Sequence, residues 1–546
     1  MLACRKLAMA IFALIVAGLI WLPMPKAMAE TLADIDAEIQ GNRSIQTHRS
    51  GLDAYNIYDG VTNSRLDRKW TILQAAGVSS YFLTANYKNF YSFTGLAGVT
   101  DTKLELVTTA ATQRLYRRGA GATSEISRGY FGAWWGDKYQ GIQSSRDELA
   151  ILAAWDTTDL QRAQSLQRIY VIDVPAGYTL VGGIASPMEK DGEYRAGGAY
   201  QYYYSGNLTT MRGWLVYALY APDYLKSYAG AVTSTKRAGR GIALDLSRHL
   251  NQTRYSAGLV GRQDQNGSAG SFWLSGFGEN LDAAESDGSS VRSRTAGGSL
   301  GWQRMTGGQA PGSNLKSYFG VMVGQSQNNQ KYGISEYGSG NVENKTTTTV
   351  GGIYGLVVNR PESSRAWYGH WSLLHGGVNF RNVVPGEIAG AGLTQNYKGT
   401  VTMLTLENGV SFRQTKGWQL EPQLQLSYTH VHQGDFRDNL GALVSLRRGN
   451  SLWGRLGLEA RRTMGKMPDQ TSCYWARAGY SREFLARNEV DVAGDLARSE
   501  TRQGAFSIAL GTNLRLGQNF SLQAEALQLF GSEKGIQANL AVNYVW

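Results

Sequence analysis

The chain ends on Ile536-Gln537-Ala538-Asn539-Leu540-Ala541-Val542-Asn543-Tyr544-Val545-Trp546, with apolar residues at every even position and amides at most of the odd ones. Successive side chains of an extended strand point to opposite faces. One face of this strand is therefore apolar to its last residue, and the other is largely amide. Phe506, Ile508, Leu510, Leu514 and Leu516 alternate in the same way with Ser507, Asn513 and Arg515. Trp418, Leu420, Pro422, Leu424, Leu426 and Tyr428 alternate with Gln419, Glu421, Gln423, Gln425, Ser427 and Thr429. A soluble β-sandwich also alternates, but its aromatics do not gather at strand ends. An apolar exterior, a polar interior and aromatic girdles at two interfaces describe a transmembrane β-barrel. The C-terminal half is expected to form one.

Composition agrees. The 546 residues include 67 Gly, 30 Tyr, 14 Trp and only 10 Pro. No apolar run after residue 30 approaches the ~20 residues that a membrane helix needs, as expected where each crossing strand is half apolar. The net charge of +11 is spread along the chain. Lumen arginines and basic segments beside anionic lipid account for it, and no basic run interleaves with aromatics, so no nucleic acid partner is expected. Of the two cysteines, Cys4 falls in an apolar leader and Cys473 in a barrel strand, where it reads as a filler.

Taken in order, residues 1–29 read as a secretory signal: Arg5 and Lys6, an apolar core from Leu7 to Leu22, and an Ala27-Met28-Ala29 cleavage site. Residues 30–222 have a mixed texture. Short helical patterns occur at Leu32, Ile35 and Ile39 and from Trp70 to Ala76, and strand-like runs at 104–108, 113–118, 168–174 and 178–184. A compact α+β domain is expected. Residues 223–268 are rich in Gly, Ser, Lys and Arg and read as a linker, with a short helix near 242–255 suited to plug a lumen. Residues 269–546 carry twelve antiparallel strand candidates, from 271–278 to 536–546. A further run at 440–447 reads as a loop extension, because single-chain bacterial barrels use even strand numbers. Glu421, Arg455, Glu459 and Arg515 lie on the polar side. They are expected inside, paired with each other or with the helix, since a lipid-facing charge costs several kcal/mol near the midplane.

A signal, an N-terminal domain, a short helix and a terminal barrel in this order resemble an autotransporter of the type V secretion class. Gly417-Trp418-Gln419-Leu420-Glu421-Pro422-Gln423 and Gly454-Arg455-Leu456-Gly457 resemble two marked strands of that family's translocator. The terminal aromatic after Asn543-Tyr544-Val545 resembles its signal for the barrel-assembly machinery. The resemblance implies a Gram-negative outer-membrane barrel, surrounded by lipid, that brings its N-terminal passenger to the cell surface. No Asn-Asn pair of the kind that marks self-cleavage in some members stands at the helix.

The passenger has one histidine, His48, so Ser-His-Asp and multi-histidine metal chemistry have little to build on. Three blocks carry a sharper reading: Arg114-Leu115-Tyr116-Arg117, the strand Ile169 to Pro175 preceded by Ser144-Ser145, and Asp191-Gly192-Glu193. In this order they resemble the mono-ADP-ribosyltransferases of the cholera and heat-labile enterotoxin branch. That resemblance implies NAD as substrate, no metal, and a host protein as acceptor. Glu193 is then expected to stabilise the oxocarbenium-like ribosyl cation, with Ser144 or Ser145 holding it and Asp191 orienting the acceptor. Arg117 is expected to grip the dinucleotide phosphates, beside Tyr116, with Trp135 lining the nicotinamide pocket. The run Tyr170 to Tyr202 also resembles the end of a necrotizing-toxin-type NAD glycohydrolase, which makes Gln201 the functional residue. The reading from a different class is a non-enzymatic adhesin or surface-display domain.

Overall fold

The computed structural model describes residues 75, 104–119, 134–148, 166–185, 188–190, 193–195, 198–204, 210–263, 270–286, 288–307, 314–332, 341–359, 364–388, 390–414, 417–464, 472–501, 504–517 and 519–546. The expected signal, the helix near 32–39, all but Ala75 of the helix at 70–76, and Asp191 lie outside them.

The described part of the N-terminal region is a seven-stranded sheet. Its strands are β1 (Leu104–Thr108), β2 (Gln113–Gly119), β3 (Trp134–Gly136), β4 (Arg168–Val174), β5 (Thr179–Ile184), β8 (Tyr200–Tyr203) and β9 (Leu215–Tyr220). Across the sheet their order is β1-β5-β8-β3-β2-β4-β9. The hairpin β6 (Met188–Lys190) and β7 (Glu193–Arg195) and the short helix α1 (Ile142–Glu148) lie beside it. The strand runs expected at 104–108, 113–118, 168–174 and 178–184 are β1, β2, β4 and β5. One face buries Leu115, Trp135, Tyr170, Ile172 and Tyr202. The other contributes Ile169, Val171 and Leu219 to a cluster shared with the barrel.

A single helix follows β9 without an intervening residue: α2, Ala221–Gln263, of 43 residues. It is not a short helix near 242–255, and the stretch 223–241 that reads as linker is its N-terminal half. The composition misled for a physical reason. The helix is buried in the barrel, with small residues where it packs closely on one wall and long cations that reach across to the other, so it shows no single apolar stripe. Ala229, Ala231, Ser234, Thr235, Ala238 and Ala243 are all buried.

Twelve antiparallel strands close the barrel: β10 (Gly270–Ala284), β11 (Ser290–Gly307), β12 (Leu315–Tyr332), β13 (Val342–Asn359), β14 (Arg365–Val384), β15 (Leu393–Arg413), β16 (Trp418–His432), β19 (Asn450–Met464), β20 (Ser472–Glu483), β23 (Ala505–Leu516), β24 (Phe520–Gly531) and β25 (Glu533–Val545). β25 pairs with β10 to complete the ring. Two interstrand connections carry β17 (Phe436–Arg437), β18 (Leu443–Arg448), β21 (Arg487–Val492) and β22 (Asp495–Glu500), which form a separate four-stranded sheet. The run near 440–447 is therefore the loop extension expected.

The two-residue rhythm sorts as expected. Ile536, Leu540 and Leu510 face outward at 57%, 55% and 63% exposure, while Gln537, Asn539, Asn543, Gln423 and Gln425 are buried inside. Outward aromatics ring both ends. Phe272, Trp546, Tyr544 and Phe520 touch one another near the chain terminus, and Tyr480 meets Phe506 at the far rim. Trp418 and Tyr428 stand ten residues apart on β16. That is about 34 Å along a strand, or roughly 25 Å along the normal at a tilt near 45°, the height of an outer-membrane apolar band.

Candidate functional site

The barrel lumen is filled by α2, and the match is electrostatic. Helix cations meet wall carboxylates at successive levels. Lys226 pairs with Glu285 at 2.9 Å, Arg237 and Arg240 with Glu533 at 3.4 and 3.2 Å, and Arg248 with Glu525 at 2.8 Å. Arg254 is bidentate to Glu421 and lies 3.8 Å over the Tyr368 ring. The wall adds pairs of its own: Arg455 with Glu407, and Arg477 with Glu459 and Glu525. His249 stacks on Trp273 at 4.2 Å, and Asp245 accepts from Ser275 and Asn539. Glu421, Arg455 and Glu459 thus face inward and pair as expected. Arg515 shares their inward parity, opposite buried Ser521. It sits half-buried at the strand end, where its Nε donates to the Gly517 carbonyl 2.8 Å away. Cys473 is buried and free, as a filler would be.

At the end where α2 begins, the N-terminal sheet rests on the barrel's long connections. Arg168 pairs with Glu387 of the β14–β15 connection at 3.0 Å, both side chains 1% exposed. Arg118 pairs with Asp495 of β22 at 2.8 Å, and the second oxygen of Asp495 caps α1 by accepting from the Ile142 N–H at 2.9 Å. The edge of the sheet is covered as well: the Ala218 N–H donates to the Ala391 carbonyl at 3.0 Å, and the Glu387 N–H to the Ala218 carbonyl at 2.8 Å. An open sheet edge exposes unpaired backbone groups, and a barrel loop here takes the place of a further strand. Asp438, just after β17, accepts from the Tyr224 and Tyr228 hydroxyls at the top of α2 and from the Leu440 and Ala442 N–H groups. Burial pushes its carboxyl above the ordinary range, and these four hydrogen bonds pull the other way. Glu387 is raised by burial too, against the opposing pull of Arg168.

The residues picked out from sequence in the N-terminal region do not share one surface. Tyr116 pairs with Gly136, and Gly136 with Gln201, so Tyr116 and Gln201 lie on the same face. Tyr116 packs there on the cluster holding Leu440, Ala442 and Val444 of the barrel loop. Arg117 and Trp135 take the opposite face by alternation, beside buried Leu115. The four proposed NAD contacts therefore split across the sheet. Ser145 is buried in α1, with its hydroxyl 3.5 Å from the Gln140 carbonyl, and Ser144 is half-buried. The helix carrying both lies against β7, which opens with Glu193. Sequence reasoning missed the seat itself: Arg118, Arg168, Glu387, Asp438 and Asp495. Their spacing of tens to hundreds of residues leaves no local signature.

A closed barrel with an apolar belt, two aromatic girdles and a charged helix through its lumen defines a transmembrane β-barrel of the outer-membrane kind. Residues 272–526 match the family described as "Autotransporter beta-domain". The barrel is an autotransporter β-domain of the outer membrane. Among curated proteins, the chain is 32% identical to the pertactin autotransporter of Bordetella parapertussis over 121 residues, covering 22% of this chain and 13% of that protein. It is 24% identical to the adhesin BmaC autotransporter of Brucella suis over 349 residues, covering 60% of this chain and 10% of that one. The chain thus spans a small fraction of the length of these relatives. Solved structures that align with it include the β-domain of the Bordetella autotransporter BrkA, at 19% identity and TM-score 0.39 over 50% of this chain and 98% of that one. The transport unit of AIDA-I from Escherichia coli aligns at 14% identity and TM-score 0.42 over 55% and 97%.

Proposed function

We propose that the barrel brings the N-terminal domain of its own chain to the cell surface and holds it there, seated on the mouth with α2 as its tether. The observation that carries this is α2 itself. It runs through the lumen from the β9 end, paired with the wall at several levels. The end bearing the N-terminal sheet is then outside, and the end bearing Gly270 and Trp546 is periplasmic. An Ala110→Cys variant tests it, because Ala110 is exposed in the β1–β2 turn and Cys473 is buried. A membrane-impermeant maleimide should label the variant on intact cells. Labelling that requires permeabilised cells would sink the proposal.

For the displayed domain, the geometry best supports a non-enzymatic surface role, such as adhesion, and one relative is itself an adhesin. Tyr116 is taken up by the barrel contact, and Gln201 shares its face. NAD cleavage is the second reading. It is favoured by the packing of the Ser144–Ser145 helix on the strand that opens with Glu193. Release of nicotinamide from NAD by the full chain in detergent, lost in Glu193→Ala, supports this second reading. Absence of release by the unaltered chain removes it.

A further inference from the structure

The barrel wall is uneven. β11 to β15 run 18, 18, 18, 20 and 21 residues, whereas β20, β23, β24 and β25 run 12, 12, 12 and 13. A tilted strand crosses a membrane in about ten residues, so the β11–β15 wall rises well beyond the apolar belt at the mouth end. Its outer face there is neither apolar nor neutral. Register aligns Arg294 with Asn329, Asn329 with Lys345, Lys345 with Arg381, and Arg381 with Asn396 on five consecutive strands, all on the outward face. Lys398 stands two residues along from Asn396, opposite Asn379.

The four cations Arg294, Lys345, Arg381 and Lys398 are exposed, and none has an anionic partner among the described residues. Lys345 and Arg381 are directly opposed on neighbouring strands, an arrangement that destabilises a sheet unless an anion intervenes. One row nearer the rim, the exposed cations are matched instead, Arg292 with Asp282 and Lys331 with Glu343. The wall therefore carries balanced charge at its edge and unbalanced positive charge just below. Between and beneath the cations stand exposed or half-exposed Asn379, Asn396, Gln327 and Thr347, whose amides and hydroxyls suit sugar hydroxyl groups. Each cation lies six to eight residues past the nearest exposed large apolar side chain of its strand: Leu300, Ile353, Leu373 or Leu404. That is roughly 14 to 19 Å along the normal at 3.3–3.4 Å per residue and a tilt near 45°. For Lys345, Arg381 and Lys398 it is the layer of lipid headgroups and not of hydrocarbon; Arg294, eight residues from Trp302 beside the Phe272 girdle, stands lower, toward the edge of the hydrocarbon.

We infer that this face of the wall binds the phosphorylated saccharide headgroup of lipopolysaccharide in the outer leaflet. Lys345 and Arg381 clamp one phosphate, Arg294 and Lys398 flank it, and the asparagines hold the sugars. The inference rests on the mouth end being outside, which the Ala110→Cys labelling decides separately.

The test uses the full chain in a neutral detergent. The probe is a lipopolysaccharide with a phosphorylated inner core, offered intact and after removal of its phosphate esters, and native mass spectrometry counts the lipid retained. The chain is expected to retain the intact lipid at least tenfold better than the dephosphorylated one. Lys345→Gln/Arg381→Gln/Lys398→Gln should abolish that preference while the barrel keeps its heat-modifiable gel mobility. The conservative Lys345→Arg/Arg381→Lys pair should preserve it. Equal retention of both lipids by the unaltered chain overturns the inference, as does an undiminished preference in the triple variant.

Discussion

At the scale of single residues, the seat of the N-terminal sheet depends on pairs that are buried on both sides. Removing one partner of such a pair leaves an uncompensated charge and costs ~3–5 kcal/mol. Arg168→Ala and Glu387→Ala are each expected to loosen the sheet by that order, and the double variant by less than the sum of the two. Hydrogen exchange at the Ala218 amide, which is bonded to the Ala391 carbonyl, reads this directly; additive effects would show that the pair is not coupled. Because burial raises the Glu387 carboxyl above its ordinary range, the seated state binds a proton more tightly than the unseated one. The contribution of Glu387 is therefore complete at pH values below the ordinary carboxylate range and declines as pH rises through the raised value. Lowering the pH from 7 to 5 should leave the Ala218 amide at least as protected, after correction for intrinsic exchange. Release of the sheet on acidification would contradict this. Gly230 is equally specific: a Cβ there would stand 1.7 Å from the Tyr332 hydroxyl. Gly230→Val should keep the helix from seating, seen as loss of the compact, heat-modifiable gel form. Of these residues, the inward Glu421, Arg455 and Glu459 were legible from strand parity alone. Arg515 shares that parity, and at its strand end the guanidinium also meets the Gly517 carbonyl.

Among the elements, the strands declared themselves and the helix did not. A barrel strand meets lipid on one side and polar groups on the other, and that contrast writes itself into every second residue. α2 meets protein on every side, so small and polar residues replaced the apolar stripe, and its first half looked like linker. Only the 242–255 stretch, with Leu246 and Leu250 buried beside Asp245, Arg248 and His249, carried enough contrast to be read. Its ion pairs make a specific claim about register, the best-attested use of buried charge. Arg254→Ala strands Glu421 inside the wall and should lower the temperature at which heat-modifiable mobility is lost. Arg254→Ala/Glu421→Gln should recover much of that loss. If the second change gives no recovery, the pair does not fix the position of the helix.

For the molecule as a whole, a barrel sequence can be read because the membrane imposes one rule on every strand. The N-terminal sheet obeys no such external rule. Its four best strands could be located from their apolar runs, but its partner could not, since Arg118 meets Asp495 and Arg168 meets Glu387 across 377 and 219 residues. The residues singled out for NAD contact divide between the two faces of the sheet for a related reason. Residue type and chain order do not say which side of a strand a neighbour will cover, and barrel loops cover the side of Tyr116.

The direct passage from Tyr220 in β9 to Ala221 in α2 leaves no slack between the N-terminal sheet and the lumen helix. A pull on the sheet is therefore taken up lengthwise by a rod of 43 residues, about 65 Å at 1.5 Å per residue. The arginines studding that rod load the wall carboxylates in shear, level by level, instead of peeling them away one after another. Under the proposed adhesive role, a cell anchored in a flowing medium would hang from the barrel as from a barbed shaft.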